Sequence, residues 1–179
     1  LSDEFLADVR ALPQKNIAVL LLERLLKGKV KSVQRMNVVQ AKKYSEMLKN
    51  SIDKYNKRSI QTSKVIEELI EIAKEMRKAA ERGEDLGLSQ DEVAFYDALA
   101  DHMTAKEVLG DETLRAIAHE LTKVIKENMT IDWNRKESAR AKMRITVRRL
   151  LREYGYPPDL AKMAVETVVR QAELMAGNS

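Results

Sequence analysis

From Lys29 to Arg82 the chain runs for 54 residues without a glycine or a proline. Strands rarely extend past about ten residues before they must turn, and turns draw heavily on those two residues. A stretch of this length is therefore committed to long helices. Within it Val65, Ile66, Leu69, Ile70, Ala73 and Met76 recur at three- and four-residue steps, the spacing of one apolar helix face. The part from Met36 to Lys57 is more polar and its stripe is weaker. Two helices are expected, over 33–56 and 60–82, and fusion of the two into one rod is left open. Six Gly and three Pro in 179 residues leave few turns elsewhere, and an aromatic content of 4% argues against a β-rich core. The expected fold is all-α: an irregular multi-helix bundle with long antiparallel helices. The length suits a single helical domain over 1–179, with sub-lobes over 12–82 and 89–176.

Pro13 suits a helix start, so "NIAVLLLERLLKG" is expected to be a largely buried helix ending at Gly28, with Ile17, Leu20, Leu21 and Leu25 in its core. "ERGEDLGLS" is expected to break the chain at Gly83 and Gly87. Ser89 and Glu92 have the S-x-x-E spacing of a capping box opening the next helix, in which Phe95 and Tyr96 are anchors. A short helical turn over 104–109 stops at Gly110, and Asp111 is expected to cap the following helix. Its face is Leu114, Ile117, Ala118, Leu121, Val124 and Ile125. A further helix begins near Trp133, itself expected as a core anchor. It ends at "YGYPP", where Tyr154, Gly155, Tyr156 and Pro157 form a rigid corner before a last helix that reaches about Met175.

Several chemistries are absent from the pattern. Without cysteine there are no disulfides and no thiolate chemistry. The single Gly-Lys pair, Gly28-Lys29, is followed by Val30, so the phosphate-cradling loop is missing. None of the 28 acidic residues has a lysine two positions later, as one widespread nuclease motif requires. Neither His102 nor His119 has a glutamate three residues before it, the spacing of helical di-metal sites. The expectation is a chain that is not catalytic alone and holds no cofactor or metal. The longest apolar run, "IAVLLL" at 17–22, is far short of the roughly 20 residues a membrane span needs. No membrane partner and a cytoplasmic location are expected. The chain starts at Leu1 rather than Met, which reads as a piece of a longer protein.

What stands out is the placement of charge. Residues 1–60 carry thirteen basic and six acidic groups, 61–130 nine and sixteen, and 131–179 ten and six. Two basic ends flank an acidic middle, as for a chain that meets a polyanion or an acidic partner, or that pairs with itself. On a helical wheel Met143, Val147, Leu150, Leu151 and Tyr154 make a core stripe, while Arg140, Arg144, Arg148 and Arg152 form a ridge at four-residue steps. Such a ridge can track successive phosphates or fork onto carboxylates of a neighbouring helix. With Arg149, and with Lys42, Lys43 and Arg58 of a second basic tract at 27–58, these are the candidate contacts to DNA or a partner. From the residues alone the first reading of both tracts is a solvated face paired internally with the acidic middle, and phosphate contact or docking to another protein are the alternatives.

Five strings in order resemble the C-terminal helical region of type I restriction enzyme endonuclease (R) subunits: "LPQKNIAVLLLERLL", "VVQAKKYSEML", "VIEELIEIAKEMRKAAERGEDLGLSQDEVAFYDALA", "TIDWNRKESARAKMRITVRRLLREYGYPPD" and "ETVVRQAELM". The resemblance spans Leu12 to Met175. It implies a parent subunit that moves DNA with ATP and Mg2+ and cleaves it as a site-specific deoxyribonuclease, its motor and nuclease motifs lying upstream. For this region it implies a tail that holds the subunit on the methyltransferase and specificity core beside duplex DNA. No catalytic residue carries over. The combined expectation is an assembly module with an auxiliary DNA contact. The alternatives are an autonomous basic DNA-binding domain and a passive helical spacer. Reversing Arg140, Arg144 and Arg148 to Glu is expected to spare helical content while weakening assembly or DNA retention.

Overall fold

The computed structural model describes residues 1–101, 103–128 and 136–177. Among them are nine helices and no strand: α1 Asp3–Arg10, α2 Lys15–Gln34, α3 Val38–Asn56, α4 Thr62–Leu86, α5 Gln90–Ala100, α6 Met103–Leu109, α7 Asp111–Asn128, α8 Glu137–Glu153 and α9 Pro158–Gly177. The all-α expectation holds. Trp133 lies outside the described residues.

Two compact units share the chain. The first takes 1–34 and 40–82, the second 35–39 and 83–179. In the first, Leu6, Val19, Leu22, Leu26, Tyr44 and Leu48 close around the α4 stripe of Val65, Ile66, Leu69, Ile70 and Ala73. Polar pairs at the edge of this core fix its register. Arg10 forks onto Glu67 at 2.7 and 3.0 Å while Arg77 donates to Asp3 at 2.7 Å, so α1 runs antiparallel to α4. Lys54 reaches Glu68 at 2.9 Å while the Tyr44 hydroxyl donates to the Glu75 carbonyl at 3.4 Å, which sets α3 antiparallel to α4. The Tyr55 hydroxyl donates to Asn16 at 2.9 Å, tying the end of α3 to the start of α2.

The second unit is built around α5, in which every residue from Val93 to Leu99 is buried. Leu114, Ile117, Leu121 and Ile125 of α7, Met143, Val147 and Leu151 of α8, and Val165, Val168, Val169 and Ala172 of α9 join it in one core. The capping box is present: Ser89 Oγ accepts from the Glu92 N–H at 3.2 Å and Glu92 accepts from the Ser89 N–H at 3.1 Å.

Several boundaries differ from the sequence-based expectation, each for a physical reason. Helix α2 passes through Gly28 and continues to Gln34. A mid-helix glycine costs only about 1 kcal/mol relative to alanine, which the flanking turns offset. Nor is α2 largely buried: Ala18, Val19, Leu22 and Leu26 are inside, but Ile17 is 51% and Leu20 58% exposed. The 29–82 stretch is not one rod. It stops at 35–37, where Asn37 is buried and donates to Asp97 at 2.7 Å. Gln171 grips both sides of that stop, donating to the Met36 carbonyl at 2.8 Å and accepting from the Val38 N–H at 2.9 Å. It breaks again after α3, where Arg58 adopts the left-handed conformation at φ 55°. The Ser59 N–H then reaches the Lys54 carbonyl at 3.1 Å and the Arg58 N–H the Tyr55 carbonyl at 3.2 Å, the two bonds of a Schellman end. Gly83 does not break α4. It is buried inside the last turn, where a Cβ would sit 3.0 Å from the Leu88 carbonyl oxygen, and the helix ends at Gly87 instead. Asp111 is the first residue of α7, not its cap. Its carboxylate accepts from the Tyr96 hydroxyl and pairs with Arg115 at 3.0 Å.

Candidate partner-contact surfaces

The arginine ridge of α8 divides in two. Arg140 donates to Glu137 at 2.6 Å and lies 3.6 Å from Glu173 of α9, and its Nε is buried without an acceptor. The hydrogen bond and charge of Glu137 hold its guanidinium above its ordinary pKa. Arg144 forks onto Glu166 of α9 at 2.9 and 3.5 Å. Both are half-buried cross-braces between α8 and α9. Arg148, Arg149 and Arg152 are exposed and have no ion pair among the described residues. The free arginines of α8 therefore gather at its C-terminal end, while Lys142 is exposed nearer its start.

That end is shaped by "YGYPP". Gly155 takes φ 76°, which lets the Tyr156 N–H return to the Leu151 carbonyl at 2.9 Å. Tyr156 is then driven inward, its hydroxyl donating to the Leu99 carbonyl at 2.7 Å, and burial pushes its pKa up to about 12. Pro157 is buried beside it, and Phe95 and Tyr96 lie in the same core, with Tyr154 packed at its edge. The result is a concavity of about 460 Å3 in which Arg148, Arg152 and Lys162 surround an apolar floor of Tyr156, Pro158 and Ala161.

In the 27–58 tract, Lys54 is bound to Glu68, whose carboxyl it holds below the usual range with help from Ser51 against the opposing effect of burial. Lys43 lies over the Tyr44 ring at 5.5 Å and Arg58 over the Tyr55 ring at 4.8 Å. Lys42 is exposed and has no ion pair among the described residues. Lys42, Lys43 and Arg58 belong to the first unit and Arg140 to Arg152 to the second.

No group of three or more His, Cys, Asp or Glu among the described residues could hold a metal ion, and no described helix is long and apolar enough to cross a membrane. His119 is bound to Glu92 of the capping box at 2.6 Å. Sequence reasoning missed Lys162, which lies beyond the Pro-Pro corner, and the α9 carboxylates Glu166 and Glu173. It also missed Gln171, whose one signal was a polar residue inside the Val168, Val169 and Ala172 stripe.

The family described as "Type I restriction enzyme HindI endonuclease subunit-like, C-terminal" matches residues 1–178. The type I restriction enzyme HindI endonuclease subunit of Haemophilus influenzae is 37% identical over 176 residues, 98% of this chain and 17% of that protein. The provisionally named type I restriction enzyme MjaIXP endonuclease subunit of Methanocaldococcus jannaschii is 35% identical over 159 residues, 87% of this chain and 15% of that protein. The chain thus spans about a sixth of the length of either relative. No solved structure matches it significantly.

Proposed function

Because the chain belongs to the family of HindI-like type I restriction enzyme endonuclease subunits, as their C-terminal region, we propose that it is a non-catalytic assembly module. In this reading it docks the ATP-dependent translocase and endonuclease onto the methyltransferase and specificity core and adds an auxiliary contact to duplex DNA. The observation that carries the DNA contact is the split ridge. Arg140 is shared between Glu137 and Glu173 and Arg144 is paired with Glu166, whereas Arg148, Arg149 and Arg152 are left to an outside anion. All three stand within helix α8, so phosphate binding would cost little ordering of the backbone.

The split corrects the sequence-based test. Reversing Arg140 and Arg144 would set like charges against Glu173 and Glu166 and loosen the α8–α9 pair, so helical packing would not be spared. The informative variant is Arg148→Glu with Arg149→Glu and Arg152→Glu. It should lower the unfolding free energy by no more than about 1.5 kcal/mol, roughly 0.5 for each exposed charge. It should also lower the salt dependence of DNA retention by about one unit of slope per lost phosphate contact. Unchanged DNA retention at every salt concentration would make the three arginines ordinary solvated surface. Tight duplex binding by the chain without any core would favour the autonomous DNA-binding reading.

A further inference from the structure

The first unit carries a second feature that DNA contact does not explain. Between α2 and α3 lies a groove of about 710 Å3. Helix α2 gives it Leu20, Gly28 and Val30, and α3 gives Leu48 and Ile52. Gly28 has no atom within 4 Å of where a Cβ would stand, so its missing side chain leaves the groove open in the middle of α2. Leu20 stands 58% exposed at one end, with Ile17 one turn before it at 51%. Along the rim Arg24, Lys31 and Lys49 have no ion pair among the described residues, and Lys27 is held by Glu23 at 2.9 Å. Ser45 and Asp53 complete the lining.

An apolar channel between two long helices, with cations above it, has the form that accepts the apolar face of a third helix. The rim selects the sign of that helix, since excess Arg and Lys favour acidic flanks. A phosphate backbone would use the cations but would leave the apolar lining of Leu20, Val30 and Ile52 in water, whereas the apolar face of a helix would cover it. We infer that the α2–α3 groove is the seat of an amphipathic helix with acidic flanks supplied by the methyltransferase core. A large apolar side chain of that helix lies over Gly28. This inference rests on the docking reading and names the surface that performs it.

Two substitutions separate it from charge alone. Leu20→Lys sits on an exposed position and adds a cation, so it favours DNA while spoiling an apolar contact. Gly28→Leu fills the groove at a helical position with open space, so it should raise Tm while obstructing the incoming helix. The full-length endonuclease subunit carrying each change is titrated against the cognate methyltransferase core without DNA. The expected result is a tenfold or greater loss of affinity for both variants, with DNA retention unchanged or improved for Leu20→Lys and a higher Tm for Gly28→Leu. A photo-crosslinking residue at position 20 should attach to an acidic helix of the core. Parental affinity in both variants overturns the groove while the docking reading stands. A crosslink to the subunit's own upstream chain overturns the core as the source of the helix. Failure of the unaltered subunit to bind the core overturns both.

Discussion

Glu92 holds several contacts with one carboxylate. It closes the capping box with Ser89 and accepts from His119 at 2.6 Å. Burial pushes its pKa up, but the bonds from His119 and Ser89 outweigh that, and it rests below its ordinary value of 4.5. A carboxyl depressed in the folded state stabilises at pH above 4.5, and that stability drains away as pH falls through the folded value. Glu92→Gln should therefore cost about 1 kcal/mol at pH 7, and the gap to the parent should shrink below pH 4.5 in urea titrations. An equal gap at both pH values would mean that the carboxylate charge is not what matters. Tyr156 gives a second test. Tyr156→Phe leaves the Leu99 carbonyl buried without its donor and should cost about 1–2 kcal/mol. In the parent this tyrosine should resist ionisation until about pH 12. At this scale the capping box was legible from four consecutive positions. His119 as its partner was not, because the contact joins residues 27 apart.

The helix ends show why elements were legible and their limits less so. Gly87, Gly110 and Gly155 all take positive φ and all mark real ends, so glycine at those points was a sound signal. The break between α3 and α4 carries no such mark, because an arginine occupies the left-handed position. Arg58 is held there over the Tyr55 ring at 4.8 Å. A non-glycine residue in that conformation costs roughly 1 kcal/mol, so Arg58→Gly should stabilise the chain slightly, by up to about 0.5 kcal/mol once the looser unfolded chain is counted. Loss of stability would mean that the stacked guanidinium contributes more than the strain removes. Gly155→Ala should do the opposite and cost about 1 kcal/mol, read as a lower urea midpoint. The stop before α3 was illegible in another way. It is set by Asn37 and Gln171, polar side chains buried far apart in sequence, and periodicity has no access to such contacts.

Across the whole molecule the charge pattern resolves into two kinds of cation. Some are structural: Arg10 and Lys54 pair with carboxylates of the acidic α4, Arg77 of α4 pairs with Asp3, and Arg140 and Arg144 brace α8 on α9. Others, among them Arg24, Lys31, Lys49, Arg148, Arg149 and Arg152, have no ion pair among the described residues and sit on exposed surface. The sequence located both basic tracts but could not sort one kind from the other, since the sorting depends on which carboxylate of another helix stands opposite. It also carried the family, through five strings that the match over residues 1–178 bears out. The central claim is that this region docks its subunit on the core, and co-elution tests it most directly. The chain is passed over a sizing column with the cognate methyltransferase core, without DNA, after circular dichroism has verified its helical content. A stable complex at micromolar concentration is the predicted result. A folded chain that elutes apart from the core, while still retarding duplex DNA, would contradict the docking claim.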